Sequence, residues 1–217
     1  MEIKVLTDLL EANDTIAQEN HRLLADCGVK AINLMSSPGA GKTALLEKTL
    51  SVLKDEIAMG VILGDVSTSR DAERLAGYGI TLLQINTRHF GGTCHLDANM
   101  IKSALSHFDL NKLDILFIEN VGNLVCPAAI NLGEDYKVVI LSVTEGDDKP
   151  AKYPAMFEKA DLLIINKIDL LPHTDCNLEI IKKDARLLNS RLKIQELSAR
   201  TGEGLPQWWE WLRSLCN

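Results

Sequence analysis

The sequence predicts an α/β domain: a mostly parallel, doubly wound sheet with helices on both faces. Three observations carry that expectation. Short apolar runs alternate with helically periodic segments along nearly the whole chain, as repeated β-α units require. Several of the runs end in Asp, Glu or Asn, and polar residues at the C-terminal edge of parallel strands mark where such sheets bind ligands. A Gly-rich turn, Ser36-Ser37-Pro38-Gly39-Ala40-Gly41-Lys42-Thr43, joins the apolar run 31–35 to a helical pattern that begins at Ala44.

Strand, Gly-rich turn, Gly-Lys-Thr and helix together make a P-loop. Pro38, Gly39, Ala40, Gly41, Lys42, Thr43 and Ala44 form the expected phosphate cradle. Its glycines let backbone N–H groups curl around oxygen atoms, and the helix N-terminus adds partial positive charge. Lys42 is placed to reach the β- and γ-phosphates, and the Thr43 hydroxyl to bind Mg²⁺. Ser36 stands where the strict pattern has its first Gly.

Composition bounds the rest. The chain has 217 residues, 46% hydrophobic and 24% charged, which suits one α/β domain with a substantial core. A net charge of −7 argues against nucleic acid as a partner. The five cysteines are scattered and odd in number, so no disulfide framework is expected. No signal peptide opens the sequence, and no apolar run approaches the ~18 residues of a membrane span. A reducing cytoplasm and no membrane attachment are the expectations.

Residues 3–26 read as an amphipathic helix with Leu6, Leu10, Ile16, Ala17, Leu23 and Leu24 along a stripe and Gly28 as its stop. Asn13 and Asn20 lie seven apart beside that stripe. The helix is expected either to pack on the sheet or to serve as a partner contact. The strand 59–64 follows the P-loop helix and delivers Asp65, a candidate for the Mg²⁺ shell. Asp71 is a weaker candidate, or a first-turn acid of a helix over 71–76. The strand 80–85 leads to Cys94 and His95, which fall at the N-terminus of a helix carrying Leu96, Met100, Ile101, Ala104, Leu105 and Phe108; a thiolate is favoured there.

Asp114–Glu119 is an apolar strand ending in acid, the Walker-B pattern. Glu119 is expected to hold Mg²⁺ through water, and the Gly122 N–H to sense a γ-phosphate. The segment they bound should move on hydrolysis. The strand 136–143 precedes a charged stretch, 144–150 with Lys152 beyond, that is either a site loop or a solvated one. The strand 161–165 delivers Asn166-Lys167-Ile168-Asp169, the guanine-reading pattern: the Asp169 carboxylate accepts from guanine N1 and the 2-amino group, Asn166 addresses the imidazole side and the Lys167 stem covers the base. After the strand 192–197, Ser198-Ala199 forms a second base-contacting loop. A helix over 205–215 closes the chain with Trp208, Trp211, Leu212 and Leu215 inward.

Cys94, His95 and Cys126 remain. Two thiolates and an imidazole suit Zn²⁺ or Ni²⁺, with a fourth ligand from water, His89 or a second subunit. The alternative is two buried cysteines and a capping histidine. His173, Cys27, Cys176 and Cys216 have no ligand-spaced partner.

At this point the chain resembles the HypB family, GTPases that help insert nickel into nickel–iron hydrogenase. The resemblance spans nearly the whole sequence. It rests on residues 33–43, on Cys94-His95-Leu96-Asp97-Ala98, on Glu119-Asn120-Val121-Gly122-Asn123-Leu124-Val125-Cys126-Pro127 and on Glu145-Gly146-Asp147-Asp148-Lys149. It implies a fold of the SIMIBI class of metallochaperone GTPases, with a helix over 1–28 packed on a single GTPase domain over 29–217. It implies slow, switch-type hydrolysis of GTP to GDP with Mg²⁺, Lys42, Asp65 and Glu119 serving the reaction. It further implies a Ni²⁺ or Zn²⁺ site at Cys94, His95 and Cys126, a homodimer linked to GTP and metal, and nickel transfer with a HypA-type chaperone toward the hydrogenase large-subunit precursor. Two departures stand out. The N-terminal Cys-x-x-Cys-Gly-Cys or His-rich tract of some members is missing, so a second metal site is not expected. The loop 87–93 is longer than usual, which makes His89 an additional candidate ligand. The related urease GTPase would carry Cys-Pro-His where this chain has Cys126-Pro127-Ala128. A metal-storage module would not need Lys42, Thr43, Glu119 and Asp169, nor a nucleotide kinase the Asn-Lys-x-Asp pattern.

Overall fold

A computed structural model describes residues 4–66, 69–90 and 93–216, with side chains from residue 10 onward except at positions 89 and 90. The Leu6 position of the helical stripe and His89 as a candidate ligand therefore lie outside the described side chains. In chain order the elements are α1 (Lys4–Asp26), β1 (Lys30–Ser36), α2 (Lys42–Leu53), β2 (Met59–Asp65), α3 (Arg70–Leu75), β3 (Thr81–Asn86), α4 (Ala98–Leu105), β4 (Ile115–Glu119), α5 (Cys126–Ala129), β5 (Tyr136–Ser142), α6 (Lys149–Lys152), α7 (Pro154–Glu158), β6 (Leu162–Asn166), α8 (Leu178–Leu188), β7 (Lys193–Glu196) and α9 (Leu205–Leu215).

Among the described residues the strands form one seven-stranded sheet, in the order β3-β2-β4-β1-β5-β6-β7, and every pairing is parallel. The strand order turns around β1 and β4, so the loops leaving their C-terminal ends open a crevice at the switch point. β4 and β6 are buried at every position, as expected of strands covered on both faces. Alternation assigns each side chain to a layer. Ile115 and Phe117 join the core shared with α2, α3 and α9, whereas Leu116 and Ile118 join the core under α1 and α4. A third cluster seats α7 and α8 on β5 and β6.

The closing helix packs as its periodicity predicts. Trp208 is fully buried, stacks on Trp211 at 5.2 Å and donates its indole N–H to Thr49 Oγ at 2.8 Å. Burial of such a side chain contributes about 1.5–3 kcal/mol, and the hydrogen bond keeps the indole nitrogen from being stranded.

Two elements differ from expectation. In α1 the stripe is narrower than its leucines suggest: Leu10 and Leu23 are 42% and 45% exposed, while the buried line runs through Ala17, Asn20 and Leu24. A buried asparagine occupies a position that apolar periodicity assigns to carbon. The helix expected to carry Leu96 to Phe108 spans Ala98–Leu105, so it starts at Ala98, not at Cys94, and Leu96 and Phe108 flank it. Asp97 takes the N-cap, its carboxylate accepting from the Met100 N–H at 2.8 Å. Cys94 and His95 thus sit in the turn ahead of the helix, outside its first turn, and its dipole acts on them less than expected.

Candidate nucleotide and metal site

The P-loop leaves β1 and closes onto α2. Gly41 has φ 107°, and a Cβ there would lie 2.3 Å from Asn166 Nδ2, so only glycine fits. Lys42 is the first residue of α2, and its Nζ donates to Ser36 Oγ at 2.8 Å. The residue that departs from the strict pattern thus holds the lysine in place. Burial pushes the Lys42 ammonium down, against the nearby carboxylates led by Glu119.

Glu119 ends β4 beside α2. Thr43 Oγ1 donates to its Oε1 at 2.9 Å, while its Oε2 is buried and finds no hydrogen-bond partner among the described residues. Burial pushes this carboxyl up to about 7, opposed by the Lys42 charge and the Thr43 hydroxyl. A buried carboxylate oxygen without a partner, next to a threonine hydroxyl at the head of a P-loop helix, fits a hydrated Mg²⁺.

The raised acid has a measurable consequence in the metal-free, nucleotide-free protein. Between its ordinary 4.5 and about 7 the folded state keeps a proton that the unfolded chain releases. Stability should therefore fall as pH rises through that window, by on the order of 3 kcal/mol. Denaturant unfolding at pH 5 and pH 7.5 should show the loss, and Glu119→Gln should flatten it; an equal slope in the variant would contradict the assignment.

Asp65, Asp71, Glu119, Gly122 and Lys167 line one cleft of about 530 Å³ with the P-loop. A Cβ on Gly122 would come within 2.9 Å of the Pro38 backbone, so the segment after β4 lies directly against the phosphate loop. Arg74 lines the cleft too, forked onto Glu47 at 3.1 and 2.6 Å and bonded to Asp71 at 3.1 Å. Asp71 thus stands in the first turn of α3 and on the cleft wall at once.

Asn166, Asp169, Ser198 and Ala199 form a second group, joined to the first by bracing bonds. Asn166 Nδ2 donates to the Ala40 carbonyl at 2.8 Å, and its Oδ1 accepts from the Ala199 N–H at 3.0 Å. Lys167, in the left-handed region at φ 64°, sends Nζ to the Gly39 carbonyl at 2.8 Å. Asp169 Oδ1 accepts from Ser198 Oγ at 2.6 Å, which fixes the carboxylate. In the charged stretch after β5, Glu145 closes a capping box with Ser142, and Asp148 pairs with Lys149 and Lys152.

Cys94, His95 and Cys126 meet in space. Their ligand atoms lie within 4.8 Å of one another, the only such group among the described residues, and the two sulfurs are 2.8 Å apart. The Cys94 thiol, and then burial, push the Cys126 thiol up. His95 Nδ1 is buried and without a hydrogen-bond partner among the described residues. Two converging sulfurs and an unpartnered imidazole nitrogen fit a thiophilic divalent ion.

Three asparagines that sequence reasoning passed over hold this group to the cleft. Asn120, the residue after Glu119, accepts from the Leu96 N–H at 3.2 Å and donates to Asn33 Oδ1 at 3.2 Å. Asn123 Nδ2 reaches the Cys94 carbonyl at 3.4 Å. A polar Asn33 inside the otherwise apolar run 31–35 of β1 was the available signal.

Fold and cleft define a P-loop nucleotide-binding protein with a thiol–imidazole trio tethered beside the end of its Walker-B strand. Residues 30–196 match the family model of the CobW/HypB/UreG nucleotide-binding domain. Hydrogenase maturation factor HypB of Rhizobium leguminosarum bv. viciae is 52% identical over 210 residues, 97% of this chain and 69% of that protein. HypB of Escherichia coli K12 is 47% identical, over 98% of this chain and 72% of that protein. The crystal structure of HypB from Archaeoglobus fulgidus superposes with a TM-score of 0.89 at 43% identity, covering 96% of this chain and all of that one. HypB from Helicobacter pylori, solved in complex with nickel, gives 0.88 at 40% identity and 94% coverage of both. The chain belongs to the CobW/HypB/UreG family, among the HypB hydrogenase maturation factors. No described helix is long and apolar enough to cross a membrane.

Proposed function

We propose that this protein is a slow, switch-type GTPase that binds nickel at Cys94, His95 and Cys126 and couples its nucleotide state to nickel delivery during nickel–iron hydrogenase maturation. The observation that carries the reading is continuity. One short segment begins at Glu119, bonded to Thr43 of the P-loop helix, and ends at Cys126, whose sulfur meets that of Cys94.

In this reading the P-loop from Pro38 to Ala44 cradles GTP or GDP, and Lys42 leaves Ser36 for the phosphates. Thr43, Asp65 and Glu119 hold the Mg²⁺ shell. Mg²⁺ supplies charge neutralisation at the phosphates. Asp169 reads guanine, with Asn166, Lys167, Ser198 and Ala199 framing it, and Gly122 senses the γ-phosphate. With Glu119 committed to the Mg²⁺ shell, no described residue of the cleft is assigned as general base, which suits slow turnover. The segment 1–28, which carries α1, is an appendage to one GTPase domain over 29–217, and a cytoplasmic homodimer works with a HypA-type chaperone on the hydrogenase large-subunit precursor. Nickel is cargo here, and Zn²⁺ is the competing ion for the same sulfur-rich site.

A single-turnover assay with Mg²⁺ separates this from a metal-storage module. GTP should be consumed and ATP not, and Lys42→Ala should lower the rate by about 100-fold, as for loss of one preorganised donor. A protein that binds nickel but consumes neither nucleotide would contradict the switch.

A further inference from the structure

The two asparagines of α1 do something that a packing helix does not require. Asn13 accepts from the Ala98 N–H at 2.9 Å and donates to the Asn131 carbonyl at 2.8 Å. Two turns further along the same face, Asn20 donates to the Ala98 carbonyl at 2.8 Å and to the Leu132 carbonyl at 3.0 Å. Both side chains therefore bridge the same two segments. Ala98 opens α4, a few residues after Cys94 and His95. Asn131 and Leu132 follow α5, the single turn that begins with Cys126.

The local backbone is shaped around this bridge. Gly133 has φ 93°, and a Cβ on it would lie 2.5 Å from the Ala17 carbonyl and 2.8 Å from Asn20 Cβ. Only glycine lets the turn approach α1 this closely. Asn20 is 1% exposed, so its two Nδ2 bonds are made in a dry environment where losing a partner is costly, while its Oδ1 finds no partner among the described residues. The nearby Lys102–Glu19 pair is half in solvent and adds little.

We propose that Asn13 and Asn20 are positioning residues for the metal site: α1 anchors the chain behind Cys94–His95, at Ala98, and behind Cys126, at Asn131 and Leu132, and so sets the resting spacing from which Cys126 moves. The inference rests on the nickel reading of those ligands. Metal–ligand distances tolerate only about 0.2 Å of error, so a clamp joining the two segments tunes affinity without touching the ion. Asn120 tethers the same turn from the nucleotide side, through the Leu96 N–H. The ligand-bearing turn is therefore held from two directions, and α1 supplies the fixed one. An element outside the minimal nucleotide fold gains a function in metal binding.

The test measures Ni²⁺ affinity by competition with a chromophoric chelator, and the thiolate-to-metal absorption of Co²⁺-loaded protein, for wild type, Asn13→Ala, Asn20→Ala and Cys126→Ala. GDP affinity is measured on each as a check of the fold. Asn13→Ala should bind Ni²⁺ ~10-fold more weakly and shift the Co²⁺ band while GDP affinity stays as in wild type, an effect of the size typical for residues that orient metal ligands. Asn20→Ala should lose more; if burial makes it unstable, half-buried Asn13 still decides the matter. Unchanged Ni²⁺ affinity and Co²⁺ band in Asn13→Ala, with binding lost in Cys126→Ala, would overturn the clamp and leave the metal reading standing. A wild type indistinguishable from Cys126→Ala would overturn the metal reading and the clamp with it.

Discussion

Replacing Asp169 by Asn should weaken GTP binding ~10- to 100-fold and let xanthosine nucleotides take its place. The carboxylate is held by Ser198 Oγ at 2.6 Å, so it cannot turn to hide a mismatch. Guanine offers two donors, N1–H and the 2-amino group, and a carboxylate accepts both. An amide at the same place turns one of its N–H groups against those donors. Each buried bond left unmade costs about 1–3 kcal/mol, more when a charged acceptor is lost, and 1.4 kcal/mol is tenfold in affinity. Xanthine carries an oxygen at position 2 and accepts from the amide. Competition against a fluorescent GDP analogue measures both affinities, and an unchanged GTP affinity in Asp169→Asn would remove base reading from this residue.

Cys126→Ala should lower Ni²⁺ affinity by at least about 100-fold, and what binding remains should no longer follow the nucleotide. Removing a ligand outright costs more than disturbing an orienting residue, whose loss already costs about 10- to 100-fold. The second part follows from the path. Residues 120–125 link the acid at the end of β4 to this sulfur, Gly122 lies against Pro38 of the P-loop, and Asn120 holds the Leu96 N–H next to His95. On the proposed reading, a γ-phosphate that pulls Gly122 draws Cys126 along the chain, while α1 holds the chain behind Cys94 and His95 at Ala98. Without the Cys126 sulfur the moving end of the segment carries no ligand. Isothermal titration of the variant with GDP and with a non-hydrolysable GTP analogue reads both parts; a residual affinity that still changed with nucleotide would place the coupling elsewhere.

The fold was legible because its signals are local. The β-strands other than β7 are built on short apolar runs, and the P-loop and the Asn-Lys-x-Asp pattern occupy contiguous residues at strand ends. The asparagines were less legible because their partners are distant. Asn13 and Asn20 reach segments around residues 98 and 131, and Asn33 meets Asn120 across neighbouring strands. Such bonds leave no periodicity behind. Arg74 shows the same: its partner Glu47 lies on α2, and only folding brings the two together, with Arg74 on the cleft wall. The start of α4 had a local signal. Asp97 precedes the apolar periodicity as an N-cap, and reading it would have placed Cys94 ahead of the helix. In α1, Leu10 and Leu23 widened the stripe because hydrophobicity was counted without knowing that Asn20 would be buried by hydrogen bonds.

On the proposed function, nucleotide state and metal affinity are coupled through the segment from Glu119 to Cys126. The most direct measurement is the Ni²⁺ affinity of the wild-type protein with saturating GDP and with saturating non-hydrolysable GTP analogue, at matched dimer fraction. A coupling of the ordinary size, about 1–3 kcal/mol, predicts affinities differing roughly 5- to 150-fold, and linkage requires Ni²⁺ to change the relative affinity for the two nucleotides by the same factor. Equal Ni²⁺ affinities in the two nucleotide states would contradict the account.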